Sequence, residues 1–516
     1  MPFTTGMPSE MNIPGGGCGY GEQRKLEASI LKPSFAHQLS EPDKARRLIS
    51  NDSSKNQSKK IISLEAQIRA LVELRDRERA CVDSLRYIIS PIRTLPIELL
   101  AEIFQFAIDD ETHVKDIYRI SQVCWDWRKV THATPRLWTR PICVDLGGEN
   151  FPGREQLYAD GLEAWWARSA PLPVPVSLEL GEGANIDSRI LEEVLRNVSR
   201  FRSLSCADYF PLSLVSRLAE CSLDNLEELE LGLPAVYPST SESPAPALIM
   251  APRLRKLNMM VTSGGQLVLI PPWAQVTDLA LDSDSLDTIL DVMAQCTALI
   301  HASVCTSGWL TCIGVQPTRP PLVFCHLHTL ALDVGGQQHI MQLLRAVSAP
   351  ALKELYVNLL SMRDRMQSAA SLTPFLMQSP NITRLEIQCG AQALASHALI
   401  VVLEHTPRLT HLKLAHPYGS LDDALVDALS SKDGATSLVP HLHNLVLVNI
   451  DEDEFVTDAL AHMFVSRWQD AQMTSGLSTV ARWSHVELQG KYSERFMDSM
   501  ETLRQMGLPL ELQNFE

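Results

Sequence analysis

The run Leu226-Glu227-Glu228-Leu229-Glu230-Leu231 decides how most of this chain folds, because its L-x-x-L-x-L spacing keeps returning. It recurs as Leu254 to Met259, Val276 to Leu281, Leu327 to Leu332, Leu352 to Val357, Ile382 to Ile387, Leu409 to Leu414 and Leu442 to Leu447. Weaker copies surround Leu178, Leu204 and Leu299, and successive centres lie about 21 to 33 residues apart. In each copy the last two apolar positions flank a single residue. That is the period of a strand, so the apolar pair points to one side and the intervening residue to the other. Between copies, the segments around Ser285–Gln295, His339–Val347 and Asp422–Ser431 carry helical spacing. A repeated unit of one strand and usually one helix cannot bury its apolar face alone, and stacking on its neighbours does so.

The expected architecture over residues 143–516 is therefore an irregular leucine-rich-repeat solenoid. A doubly wound α/β domain is the rival, but it calls for a glycine-rich phosphate turn after an early strand, and no such turn is present. Leu233–Pro252 and Thr306–Pro321 read as inserted loops, and Ser484–Leu488 and Gly507–Leu512 as final strands capping the core. The residues between repeat leucines would line a concave strand surface. Early rows offer Glu228, Glu230, Asp278 and Asp282; later rows offer Tyr356, Asn358, Arg384, Glu386, His411 and Lys413. Exposed charges of this kind commonly do no more than solvate a sheet. Four carboxylates moderated only by Lys256 and Asn258 nevertheless suit a target with a Lys/Arg-rich contact region.

Upstream, Ile61, Leu64, Ile68, Leu71, Arg75, Glu78, Val82, Leu85 and Ile89 follow a strict three–four spacing without Gly or Pro. Residues 61–90 should form one charged amphipathic helix, ended by Pro91. Arg75 and Glu78 interrupt the stripe, which favours a helix folding back on the next domain, in a monomer, over a dimeric coiled coil. Residues 1–60, with Gly- and Pro-rich stretches and the polar run Asn51–Lys60, read as a disordered tail.

Residues 91–142 are a short helical module. Thr94 is a candidate N-cap with Glu98 in the first turn, and Leu95, Leu99, Leu100, Ile103, Phe104 and Ala107 make an apolar face broader than a surface helix needs. A second helical segment, Val114–Ala133, places Ile117, Ile120, Val123, Cys124 and Trp127 on one side. It breaks at Thr134-Pro135, before Leu137-Trp138. Helices this short bury little by themselves, so a spare apolar face should dock on a partner. The run Leu95-Pro96-Ile97-Glu98-Leu99-Leu100-Ala101-Glu102-Ile103-Phe104 resembles the opening of F-box domains, and Val123-Cys124-x-x-Trp127-Arg128 followed by Pro135-x-Leu137-Trp138 resembles their second half. The order of charged helix, this module, the segment Leu162–Leu180 and then repeats is similar to that of fungal F-box-like proteins. The resemblance implies that Leu95, Pro96, Glu98, Leu99, Leu100, Ile103, Phe104, Val123, Cys124, Trp127, Leu137 and Trp138 include the contacts to a Skp-type adaptor, which binds a cullin. It implies a substrate-recognition subunit of a ubiquitin ligase, with the repeats holding a target protein. A non-degradative interaction scaffold is the alternative.

The remaining chemistry points the same way. Net charge is −16, and the first 60 residues hold nine Lys/Arg against six Asp/Glu, so the acid lies in the body of the chain. Such a body repels phosphate backbones, and nucleic acid is not an expected partner. No apolar run reaches the roughly 20 residues that span a bilayer, and the first residues lack the pattern of a secretory signal. Eleven scattered cysteines without a CxxC pair read as reduced thiols of a cytoplasmic or nuclear protein. Cys325-His326-Leu327-His328 invites a metal reading, but strand alternation sends Cys325 away from the two histidines, and His301, Cys305 and Cys312 lack a closing partner. There is no GxSxG, HExxH, P-loop or RING-type series. Binding is expected, with no enzymatic activity, metal or cofactor.

Overall fold

The computed structural model describes residues 41–88, 91–147, 153–181, 185–206, 212–232, 247–261, 269–306, 320–334, 337–359, 372–389, 394–417, 420–430, 438–450, 457–473 and 480–514. It divides into residues 1–95 and residues 96–516.

Among its described residues the first unit contains one helix, Glu41–Ile88, and a 3-10 turn, Pro91–Thr94. The helix starts well before Ile61, inside the segment expected to be a disordered tail. The backbone gives the reason: residues 43–60 contain neither Gly nor Pro, so nothing there stops a helix from extending. The rest of the expected tail, residues 1–40, lies outside the described residues. Ile61, Leu64, Ile68, Leu71, Val82 and Leu85 of the predicted stripe are all exposed.

The second unit opens with helices Ile97–Ala107, His113–Val123 and Trp125–Ala133 and the 3-10 turn Pro135–Trp138. Two local expectations change here. Thr94 does not cap the first helix: its hydroxyl donates to the Pro91 carbonyl inside the preceding turn, and Pro96 occupies the cap position without a side-chain cap bond. The second helical segment is two helices, because Cys124 is extended (φ −157°, ψ 174°). The break is stabilised locally, since the Cys124 Sγ accepts from the Trp127 N–H at 3.5 Å and caps the next helix.

Beyond it runs a 14-stranded sheet in which every pair is parallel and, apart from two small side pairs, the strands follow chain order. It begins at Ile142–Asp145 and ends at Leu510–Asn514. The first strand lies at the very border of the expected helical module. The repeat leucines line up across strands. Leu229, Leu257, Leu279, Ala302, Leu330, Leu355, Leu385, Leu412, Leu445 and Val486 are successive register partners. The first apolar residue of each copy sits just before its strand and is buried, as at Leu226, Leu254, Val276, Leu327, Leu352, Ile382, Leu409 and Leu442. Beside it a second ladder of backbone bonds carries the pairing past the strand ends. The Arg255 N–H donates to the Glu227 carbonyl, Thr277 to Arg255, Ile300 to Thr277 and His328 to Ile300, at 2.8–2.9 Å. Helices such as Gln337–Ala346 and Ser396–Glu404 turn Ile340 and Val402 onto the leucine side, among Leu355, Val357, Leu385 and Ile387. Among the described residues no helix covers the opposite face of the sheet, where the residues between the leucines stand half-buried or exposed. This arrangement is compatible with a repeat solenoid. Of the two expected loops, residues 233–246 and 307–319 lie outside the described residues, while Ala247–Leu248 pairs with Leu269–Ile270 beside the main sheet.

The helical module is fixed to this sheet by aromatic packing. Trp138 has no exposed surface, and its indole N–H donates to the Thr131 carbonyl at 2.8 Å. Its ring meets Trp165 of helix Glu155–Ser169 edge-on, with centroids 4.9 Å apart, and the Arg168 guanidinium lies 4.7 Å above it. The next residue, Trp166, packs on Phe201 of strand Phe201–Cys206 at 5.6 Å. Arg200 then ties the end of that helix by donating to the Trp166 and Leu172 carbonyls and to the Ser169 hydroxyl, at 2.7–2.9 Å. Trp138→Ala should cost about 3–5 kcal/mol, as deleting a buried indole usually does. Thermal unfolding would show it, with Leu99→Ala, on an exposed side chain, changing little by comparison.

Candidate functional site

The helix Ile97–Ala107 carries apolar residues on two sides. Leu100 and Phe104 turn inward, and Phe104 packs on Trp127 with ring centroids 4.8 Å apart. Leu99, Ile103 and Phe106, spaced i, i+4, i+7, form a second stripe that nothing among the described residues covers: Leu99 is 53% exposed and Phe106 87%. Ile97, Val123 and Trp125 of the same module are exposed as well. An apolar surface this concentrated is unusual on a module of three short helices.

The predicted adaptor residues therefore separate by burial. Pro96, Glu98, Leu99, Ile103 and Val123 are exposed, and Leu95, Cys124 and Trp127 are half-buried. Leu100, Phe104, Leu137 and Trp138 are buried inside this chain, where they hold the module together. Ile97, Phe106 and Trp125 are the exposed apolar residues that sequence reasoning missed. The signal for Phe106 was available, since it continues the Leu99–Ile103 spacing by one more turn. Trp125 gave none, because the helix break at Cys124 reorients it.

The open face of the sheet is the second surface. A groove of about 460 Å3 runs over rows 203–205 to 329–331, between the small residues Ser203, Ser205, Ala280, Ser303 and Ala331 and the charged residues Glu228, Glu230, Lys256 and Asp278. The expected negative patch is partly neutralised. Lys256 Nζ bonds Glu228 at 2.9 Å, and Glu230 accepts from the Ser205 hydroxyl at 2.6 Å and the Asn258 amide at 2.8 Å. The negative character shifts towards the other end of the rows. There Asp282 and Asp333 flank Cys305 in register, and burial, Asp333 and Asp284 push the Asp282 carboxyl above its ordinary range. Burial, and after it the same carboxylates, pushes the Cys305 thiol up to about 11.

The later rows are mixed in sign. Arg384 holds Glu386 at 2.6 Å, with Lys413 at 3.9 Å from the same carboxylate, and Tyr356 donates to Glu354 at 3.1 Å beside Asn358. A second recess of about 220 Å3 is lined by Arg384, Glu386, His411, Lys413, Asn444 and His485. Cys325 and His326 are exposed in a turn ahead of strand Thr329–Val334, so the strand alternation expected of them does not apply, and Leu327 is buried between them and His328. Among the described residues no group of three or more His, Cys, Asp or Glu could hold a metal ion, and no helix is long and apolar enough to cross a membrane. Cys312 lies outside the described residues.

Residues 92–144 match the family model described as F-box-like, so the helical module is F-box-like through the first strand of the sheet. No curated protein matches the sequence. Among solved structures, the chain is similar to one in the crystal structure of the Rad7 and Elc1 complex in yeast. Identity is 14%, covering 66% of this chain and 93% of that one, with a TM-score of 0.33.

Two histidines border the joint between module and sheet. His113 packs edge-on to Trp165 at 6.2 Å with its Nδ1 2.9 Å from the Asp110 carbonyl, and burial lowers its pKa. His132 stands edge-on to Trp138 at 5.9 Å, lowered by burial and by Arg168 and Arg128. Histidines held below their ordinary value of 6.5 are favoured neutral in the fold, so their contribution is present above that pH and lost below it. The His113→Gln, His132→Gln variant should therefore lose less thermal stability than the parent between about pH 7.5 and about pH 5.5. Paired melting curves at the two pH values check this.

Proposed function

We propose that this chain is the substrate-recognition subunit of a Skp–cullin–F-box type ubiquitin ligase. One observation carries the reading: the stretch that matches the F-box-like model is also where Leu99, Ile103, Phe106, Val123 and Trp125 stand exposed. Closely spaced apolar and aromatic anchors on a helical module are what helix-in-groove docking uses, and a Skp-type adaptor is the partner that such a module takes. The parallel sheet serves as the leucine-rich-repeat arm that holds a target protein, and the chain's part in catalysis is proximity. The chain then works in the cytoplasm or nucleus, where the ligase and its targets meet.

The adaptor assignment is tested by contrast within one helix. Leu99→Asp and Phe106→Asp each place a charge in the docking surface and should reduce co-purification with a Skp-type adaptor at least tenfold, with circular dichroism unchanged. Leu100→Asp should instead unfold the module, because that side chain is internal. Adaptor binding that survives Leu99→Asp and Phe106→Asp together would remove the assignment. A cullin carried along with the adaptor separates the ligase from a non-degradative scaffold, which would bring down the adaptor alone.

For the target, the groove lined by Glu228, Glu230 and Asp278, with the carboxylates Asp282 and Asp333 further along the rows, favours a Lys/Arg-rich segment lying across the first half of the sheet. Once a target is identified, Asp278→Asn, Asp282→Asn, Asp333→Asn should weaken its binding, most of all at low ionic strength, while Lys256→Ala should strengthen it. Unchanged affinity in both would move the contact to the later rows around Tyr356, Arg384, His411 and Lys413.

A further inference from the structure

The helix Glu41–Ile88 presents an apolar stripe with no cover from its own unit: every described side chain from residue 54 to 86 is exposed. The stripe is a heptad seam, with Ile61, Ile68, Arg75 and Val82 at one core position and Leu64, Leu71, Glu78 and Leu85 at the other. β-Branched residues in the first set and leucine in the second are the pattern that favours two strands in a parallel coil, so it is the charged layers that must choose between parallel and antiparallel. The two charged layers are adjacent and of opposite sign, and this decides the orientation. In a parallel pair Arg75 would face Arg75 of the second copy and Glu78 would face Glu78, burying two like-charged layers in succession. In an antiparallel pair the two sets of core positions face one another. A two-fold axis between residues 76 and 77 then puts Arg75 against Glu78 twice, Leu71 against Val82, and Ile68 against Leu85. The sequence is thus complementary to its own reverse about that point. Outside the seam Glu65 and Arg86 hold the same flanking heptad position and fall within two residues of one level across the pair, while Val72 and Leu74, both exposed in the single chain, flank the central charged layers and shield them from water.

We propose that this helix pairs antiparallel with the same helix of a second copy of the chain, with two Arg75–Glu78 bridges at its centre. The bond that Arg75 makes in the single chain, to Asp76 at 2.7 Å, joins two side chains that are both more than half exposed and offers little resistance to exchange. The pairing is independent of the adaptor reading. It replaces the expectation of a monomer, because the interruption that weakens a parallel coil is what specifies the antiparallel one. A paired receptor would offer two docking modules and two sheets to one multivalent target.

The test is sedimentation equilibrium of the full chain at micromolar concentration. The parent should run at twice the 57.4 kDa chain mass. Arg75→Glu and Glu78→Arg, each alone, create two like-charged contacts and should weaken self-association by roughly a hundredfold or more. Combined in one chain, the two changes exchange the charges and should restore the dimer. Orientation is read by cross-linking in a Cys81→Ser background, which removes the exposed thiol already on this helix: Leu71→Cys with Val82→Cys in one chain should give a covalent dimer, which neither change gives alone. A monomeric parent, a dimer indifferent to Arg75→Glu, or a covalent dimer from Leu71→Cys alone would each overturn the proposal.

Discussion

The burial of Trp138 is the interaction on which the rest of the second unit depends. It closes the helical module through its bond to Thr131 and joins that module to the sheet through Trp165 and Arg168. From Trp165 and Trp166 the packing passes to Phe201, and so to the strands. An adaptor bound on the module and a target bound on the sheet would be useful to each other only if their separation were fixed. A rigid aromatic joint supplies that, where a flexible linker would spread the two sites over a wide range of distances.

Packing at this joint also explains which side chains are free to bind. Phe104 is taken up by Trp127, Leu137 and Trp138 are enclosed, and Leu100 faces inward. What remains outside is the stripe through Leu99, Ile103 and Phe106 with Val123 and Trp125. A module of three short helices has too little volume to cover apolar residues on both sides of its first helix, so one side is core and the other is surface.

The open face of the sheet follows from a different constraint. Each strand gives its leucines to the helix-covered side, and register holds them in line, so the residues between them are forced outwards in rows. Those rows then interact across strands in ways the single repeats do not reveal. Glu228 is matched by Lys256 of the next strand, Glu230 by Ser205 and Asn258 from either side, and Asp282 is left near Asp333 two strands away.

The sequence by itself determined the repeating strand, the helices between strands, the side on which each leucine lies and the existence of a helical F-box-like module. Those features are written in local spacing, with a period of two for strands and near 3.6 for helices, and short-range period survives any tertiary arrangement. Tertiary structure alone decided which apolar residues of the module are core and which are surface. Leu99 and Leu100 are adjacent and chemically identical, and only the position of Trp127 and the enclosing helices separates them. It likewise decided that Cys124 breaks a helix that its sequence pattern would continue, and that Glu230 is met by Ser205 and Asn258 while Asp282 lies near Asp333. Charge pairing is a matter of cross-strand neighbours some 25 to 30 residues apart, and that distance lies beyond what a local pattern encodes.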